Sequence, residues 1–142
     1  MMPHWSEAYV GMPYAGLGRT DAGVDCWGLV YLVYAQVLGI ALPSYVDGYA
    51  DWQERAEISG LIGQAKHSST WRMLDTGEPT RAYDLAVFRT GRLDTHIGVI
   101  VRPGLMLHIT DQRPACIEPL EATPWRQRRS GVWRHVQMEA SA

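Results

Sequence analysis

His96-Ile97-Gly98-Val99-Ile100-Val101-Arg102-Pro103-Gly104-Leu105-Met106-Leu107-His108 is a pair of apolar runs joined by Pro-Gly, with a histidine at each outer end. Proline presets a turn and glycine admits a positive φ, so the stretch reads as a β-hairpin, and strands joined this tightly must be antiparallel. Side chains alternate across a strand, so the loop length decides whether the two histidines share a face. A three-residue loop pairs Val101 with Leu105 and sets His108 opposite Gly98 and His96 opposite Thr110, both imidazoles on one face. A two-residue loop pairs Arg102 with Leu105 and separates them. Pro-Gly suits a type II turn, whose twist opposes that of a two-residue hairpin, so the odd loop is expected.

Outward from the hairpin, short runs bounded by turn residues predict further strands at Trp71–Leu74, Asp84–Arg89, Ala115–Leu120 and Val132–Val136. Upstream the texture is helical. Leu29, Val30, Val33, Tyr34, Val37 and Leu38 recur at intervals of three and four, Gly39 supplies a stop, and Asp25 is placed to cap the start. A short helix capped by Ser6 is expected over Ser6–Val10, and another between Asp47 and Ala65. Helices first and an antiparallel sheet afterwards predict an α+β architecture. No repeat or linker divides the chain, and residues 1–142 read as a single domain.

The chain has 142 residues, 46% of them hydrophobic and 20% charged, with a net charge of −2. There is no basic excess to neutralise a phosphate backbone, so nucleic acid is not an expected partner. No apolar run approaches bilayer length, so no membrane insertion is expected, and the first residues lack the pattern of a secretory signal. Synthesis in the bacterial cytoplasm is the expectation. The cysteines are two, Cys26 and Cys116. With His96 and His108 they number four possible zinc donors, but their spacing matches no familiar zinc pattern, and no metal is expected.

A thiol becomes a nucleophile where its anion is favoured and a base lies near. Cys26, in the first turn of a helix, meets the first condition, because unpaired amides and the helix dipole favour negative charge there. His96 and His108, stacked on one face, offer a base and a group to orient it, which is the logic of hydrolytic triads. The remaining histidines, His4, His67 and His135, read as surface or packing residues, Cys116 as a buried structural thiol, and the tryptophans other than Trp27 as core and rim packing.

Five blocks in order then become recognisable: Gly11-Met12-Pro13-Tyr14, Asp25-Cys26-Trp27-Gly28-Leu29-Val30, Asp84-Leu85-Ala86-Val87-Phe88, His96-Ile97-Gly98-Val99-Ile100-Val101 and Met106-Leu107-His108. Together they resemble the signature of the NlpC-type cysteine peptidases. The resemblance implies a papain-like fold with Cys26 as nucleophile, His96 as base and His108 as orienter, acting on peptidoglycan stem peptides without metal or organic cofactor. The bond it implies joins D-glutamate to the diamino acid. Tyr14 matches a tyrosine beside the nucleophile that holds substrate or oxyanion, or else packs a turn. Asp25 matches an acidic residue that meets the substrate amine, or else caps the helix.

Trp27 stands where the commonest family form has serine, and is expected to reshape the substrate groove. With Tyr31-Leu32-Val33-Tyr34 and Leu38-Gly39-Ile40-Ala41-Leu42-Pro43-Ser44-Tyr45 it resembles the branch found in tails of bacteriophages and gene transfer particles. That likeness implies phage-like tail proteins as partners and a virion as destination. The rival readings are a cysteine amidase or acyltransferase of the same fold, and a tail component that binds peptidoglycan without cutting it.

Overall fold

The computed structural model describes residues 4–46, 62–65 and 67–139. Among them the strands are β1 (Arg19–Thr20), β2 (Gly23–Val24), β3 (Trp71–Met73), β4 (Leu85–Thr90), β5 (Leu93–Arg102), β6 (Leu105–Thr110), β7 (Arg113–Pro119) and β8 (Arg129–His135). The long helix α1 covers Cys26–Val33 and runs on through a wider turn, Tyr34–Leu38, to Gly39, whose φ of 68° ends it. Short helical turns occupy Trp5–Ala8, Trp125–Arg128 and Val136–Glu139. Most of the helix expected between Asp47 and Ala65 lies outside the described residues; 62–65 are helical and Ile62 enters the core.

β1 and β2 form a small ribbon, and the other six strands form one antiparallel sheet in the order β3-β8-β4-β5-β6-β7. The architecture is α+β, as the sequence predicts. One face of the sheet packs Leu85, Val87, Ile97, Val99, Val101, Leu107 and Ile109 against Leu29, Val30 and Val33 of α1. The other face carries a smaller apolar group that includes Phe88, Ile100, Met106, Leu120 and Trp125. This alternation of two apolar faces explains why the strands read as continuous hydrophobic runs.

The central hairpin arrives at the expected face by a different route. Arg102 pairs with Leu105, so the loop is the two-residue Pro103-Gly104, not three residues as expected from turn twist, and Gly104 has φ +87°. A bulge between Ile100 and Arg102 then restores the pairing of Ile100 with Met106 and of Val99 with Leu107. An extra residue on one strand changes the parity and adds local twist, which relieves the mismatch that argued against the short loop. His96 and His108 therefore share a face. Gly98 makes the space, since a Cβ there would stand 2.8 Å from the sulfur of Met106 and 3.4 Å from the Cβ of His108.

One loop is bound tightly to the helix that carries Cys26. Residues 15–24 press on the first turn of α1, and a Cβ on Gly28 would lie 2.0 Å from the carbonyl oxygen of Gly18. At the chain's start the cap of the Trp5–Ala8 turn is His4, whose ring accepts from the amide of Ser6; Ser6, expected as the cap, lies inside the turn, with its hydroxyl 2.7 Å from His4 Nδ1.

Candidate active site

Cys26 begins α1 because Asp25 adopts an extended conformation and its Oδ1 accepts from the amide of Gly28 at 2.8 Å. The same carboxylate accepts from the amide of Leu17 at 3.0 Å and from Arg19 Nη1 at 2.8 Å, and Asp25 is 1% exposed. Of its two alternative roles, capping is the one its geometry displays. Arg19 continues the brace by donating to the carbonyls of Gly18 and Ser44. The buried thiol of Cys26 is thus presented by a clamped helix terminus.

A pocket opens at the end of the sheet, where Thr90 of β4, Thr95 of β5 and Thr110 of β6 converge. Cys26 and Ile109 line it from the α1 side, His96 and Trp125 from the other, and Tyr14, Asp111 and Arg128 complete it. Tyr14, Cys26 and His96 are therefore brought together as expected. Tyr14 reaches this place because it bridges to Val24 just before the helix. Trp27 is not brought in. It is buried, its Nε1 donates to the carbonyl of Pro43 at 2.8 Å, and its ring packs on Tyr45, so the indole shapes the groove at most from behind.

Behind His96 stands a chain of polar contacts. His96 Nε2 lies 2.9 Å from His108 Nδ1, and His108 Nε2 lies 2.8 Å from Glu118 Oε1. His108, read from the sequence as stacked on one face with His96, is fully buried behind it and does not line the pocket. The carboxylate also pairs with Arg113, and its Oε2 accepts from Trp125 Nε1 at 3.3 Å. A carboxylate only accepts, so His108 carries its proton on Nε2 and accepts at Nδ1 from His96 Nε2–H. This leaves Nδ1 of neutral His96 as a lone pair, the form a base requires.

Burial holds the imidazole of His96 below its ordinary range, helped by His108 and Arg128; burial and then Arg113 do the same to His108. Both rings are neutral near pH 7. Trp125 stacks on His96 with ring centres 5.2 Å apart and meets His108 edge to face at 4.9 Å. Arg128 lies over that indole, 4.9 Å from its centre, and is tied to the Arg89 carbonyl and the Thr90 hydroxyl.

Glu118, Trp125, Asp111 and Arg128 were not singled out from the sequence. Glu118 had a legible signal: β6 and β7 pair His108 with Cys116, so the residue two further along shares their face. His108, Cys116 and Glu118 also form a group of side chains able to hold a metal ion, a different set from the four donors considered in sequence. Asp84, in the third block, serves structure. It holds buried Arg134 by two bonds of 2.9 and 2.7 Å and accepts from the amide of Arg81.

Residues 11–134 match the model of the NlpC/P60 family. The chain is 27% identical over 130 residues to a gamma-DL-glutamyl hydrolase of Bacillus subtilis, covering 91% of this chain and 27% of that protein. It is 24% identical over 118 residues to the murein DD-endopeptidase MepS/murein LD-carboxypeptidase of Escherichia coli K12, covering 83% of this chain and 53% of the relative. The chain thus spans about a quarter and about half of these two relatives. Among solved structures, an NlpC/P60 family protein from Bacillus cereus aligns over 92% of this chain and 38% of its own, with TM-score 0.67 and 21% identity. The NlpC/p60 domain of peptidoglycan hydrolase SagA aligns over 89% and 90%, with TM-score 0.59 and 17% identity. With its papain-like α+β fold and a family match over residues 11–134, which takes in all five sequence blocks, the chain belongs to the NlpC/P60 family.

Proposed function

We propose that the protein is a cysteine peptidase that cuts peptidoglycan stem peptides, with Cys26 as nucleophile, His96 as general base and His108 as the residue that positions His96. The observation that carries this reading is the pocket shared by Cys26 and His96, backed by a hydrogen-bond chain that leaves His96 Nδ1 able to take a proton. The thiol proton passes to Nδ1, and sulfur attacks the amide carbonyl. The N-terminal turn of α1 and Tyr14 stabilise the oxyanion. Collapse transfers the proton to the leaving amine and leaves a thioester. Water, deprotonated by His96, then releases the acid and restores the thiol.

For the bond cut, we favour the one joining the D-glutamyl side-chain carboxyl to the diamino acid. The likeness to a gamma-DL-glutamyl hydrolase supports this, as does a pocket wall that offers both a cation, Arg128, and an anion, Asp111, to a substrate bearing carboxylates and an amine. Digestion of purified muropeptides, with products resolved by mass, tests the assignment. Release of fragments cut after D-glutamate is expected from the wild type and none from Cys26→Ala. Cleavage at the sugar-peptide link would make the protein an amidase, and binding without cleavage would make it a wall-binding component.

We further propose that the enzyme travels in a phage-like tail. The support is the Trp27-containing nucleophile block together with the Leu38–Tyr45 stretch. These two parts of the branch likeness touch in the fold, through the Trp27 to Pro43 hydrogen bond and the Trp27–Tyr45 ring contact. Quantitative mass spectrometry of purified particles should find the protein there, and particles carrying Cys26→Ala should adsorb to cells but deliver DNA poorly. Absence from the particles would overturn the tail assignment.

A further inference from the structure

We propose that His108, Cys116 and Glu118 form a binding site for a zinc-like divalent cation, and that filling it disables the base of the active site. The three donors are an imidazole nitrogen, a thiol sulfur and a carboxylate oxygen, a set suited to borderline-soft metals. His108 Nε2 is 2.8 Å from Glu118 Oε1, Cys116 Sγ is 3.8 Å from His108 Nε2, and Cys116 Sγ is 3.6 Å from Glu118 Oε1. Around a four-coordinate zinc, with bonds of about 2.3 Å to sulfur and about 2.0 Å to nitrogen and oxygen, neighbouring ligands stand roughly 3.3–3.6 Å apart. Shifts of about half an ångström would therefore complete three corners of the tetrahedron.

The backbone holds this triangle. β6 and β7 pair His108 directly with Cys116, and Glu118 follows on the same face. His108 is fully buried, whereas Cys116 and Glu118 are half-buried, so water can reach the fourth corner. His96 behind His108 and Trp125 Nε1 behind Glu118 supply outer hydrogen bonds of the kind that orient metal ligands. Against the cation stands Arg113, paired with Glu118; its side chain is half exposed and must swing away for the metal to enter. That competition makes the site a reversible one.

Its consequence for catalysis follows from proton positions and rests on the proposed roles of Cys26 and His96. Without metal, His108 bears its proton on Nε2 and accepts from His96. A metal on His108 Nε2 needs a lone pair there, so the ring's proton moves to Nδ1, from which it is donated in a hydrogen bond to His96 Nε2. His96 must then carry its own proton on Nδ1, and cannot accept one from Cys26. The imidazole pair holds two protons in both states; the proton released to water comes from the Cys116 thiol as it becomes a ligand.

Two measurements on the full chain, stripped with chelator, separate the halves. Cobalt(II) added to Cys26→Ala, which keeps Cys116 as its thiol, should raise a near-ultraviolet thiolate-to-cobalt band that saturates at one equivalent. The band should weaken, and no longer saturate at one equivalent, in Cys26→Ala/Glu118→Leu, which keeps the Cys116 thiol and loses a donor. No band in the first variant, or an undiminished one in the second, overturns the site. In muropeptide hydrolysis, zinc should slow the wild type by at least about a hundredfold, reversibly with EDTA, since a general base contributes that much or more. Cys116→Ala should match the metal-free wild type in the same zinc. Equal inhibition of both proteins would place zinc on Cys26 and His96 and overturn the regulatory half. A metal-free wild type without hydrolysis would remove the proposed function and that half with it, while the cobalt result judges the site alone.

Discussion

Two partly buried carboxylate networks occupy the same sheet and do opposite things. At one end Asp84 grips Arg134 through two parallel bonds, and Glu78 and the Pro79 carbonyl complete the guanidinium's partners. At the other, Glu118 holds His108, which holds His96. The first cation never gives up its proton under ordinary conditions, so that network is a fixed fastening. The second is made of imidazoles that can be neutral, charged or of either tautomer, so the same carboxylate chemistry sets the tautomer of the proposed base. What a buried carboxylate does is decided by its partner.

The largest expected effect comes from removing the end of the imidazole chain that shares the pocket with Cys26. His96→Ala should lower kcat/KM by at least about a thousandfold, while the fold survives, because Phe88 and Trp125 still pack around it. Steady-state hydrolysis paired with a thermal melt measures both. An active His96→Ala would end the comparison, since both networks would then be structural.

Asp84→Ala should show the converse. It strands Arg134, which is 1% exposed, without its bidentate partner, and the expected loss of stability is about 3–5 kcal/mol. In the fraction that remains folded, kcat should be close to that of the wild type. Denaturant unfolding gives the first quantity and active-site titration of the thiol normalises the second. A folded Asp84→Ala with collapsed kcat would show that the two ends of the sheet are coupled.

Acid should also distinguish the networks. In chelator, His96 and His108 have folded pKa values below the ordinary 6.5, so on acidification the unfolded chain binds protons before the folded one does. Stability is therefore greatest above that value and falls as pH drops through it, by on the order of 1 kcal/mol per imidazole per pH unit. The Arg134 fastening contributes nothing to that slope between pH 7 and 5. A flat stability profile over this interval would mean that the rings take up protons alike in the folded and unfolded chains and are not held neutral by burial.

Much of this division was legible in the residues. The hairpin's Pro-Gly and its alternating apolar positions placed both histidines on one face, although a bulge at Val101, and not an odd loop, sets the parity. Asp25 before Cys26 read as a candidate cap, because a short acceptor side chain there can take the free amides of a helix's first turn, with a substrate amine as its other reading. Trp125 and Arg128 were not legible: they reach the pocket on a short turn before β8, far along the chain from the five blocks, and no periodicity marks them. Trp27 was legible as unusual but not as buried, because its partners Pro43 and Tyr45 come from a loop whose path only the fold supplies.

Along the imidazole chain the effect of substitution should decline with distance from the thiol. His108→Ala removes the acceptor that fixes the His96 tautomer, yet a misdirected imidazole still presents its lone pair part of the time, so the loss should be smaller than for His96→Ala. Glu118→Gln is the mildest test. The amide oxygen can still accept from His108 Nε2–H, and the tautomers of both rings are kept, but the negative charge that steadies a transient imidazolium is gone and the pairing with Arg113 weakens. The expected loss in kcat/KM is less than about tenfold, greater for Glu118→Leu, which offers no acceptor at all. Measured at one pH in chelator, the order His96→Ala, His108→Ala, Glu118→Leu, Glu118→Gln should hold from largest to smallest. A Gln variant as impaired as the Leu variant would show that charge, not the acceptor that sets the tautomer, is what Glu118 supplies to the pair.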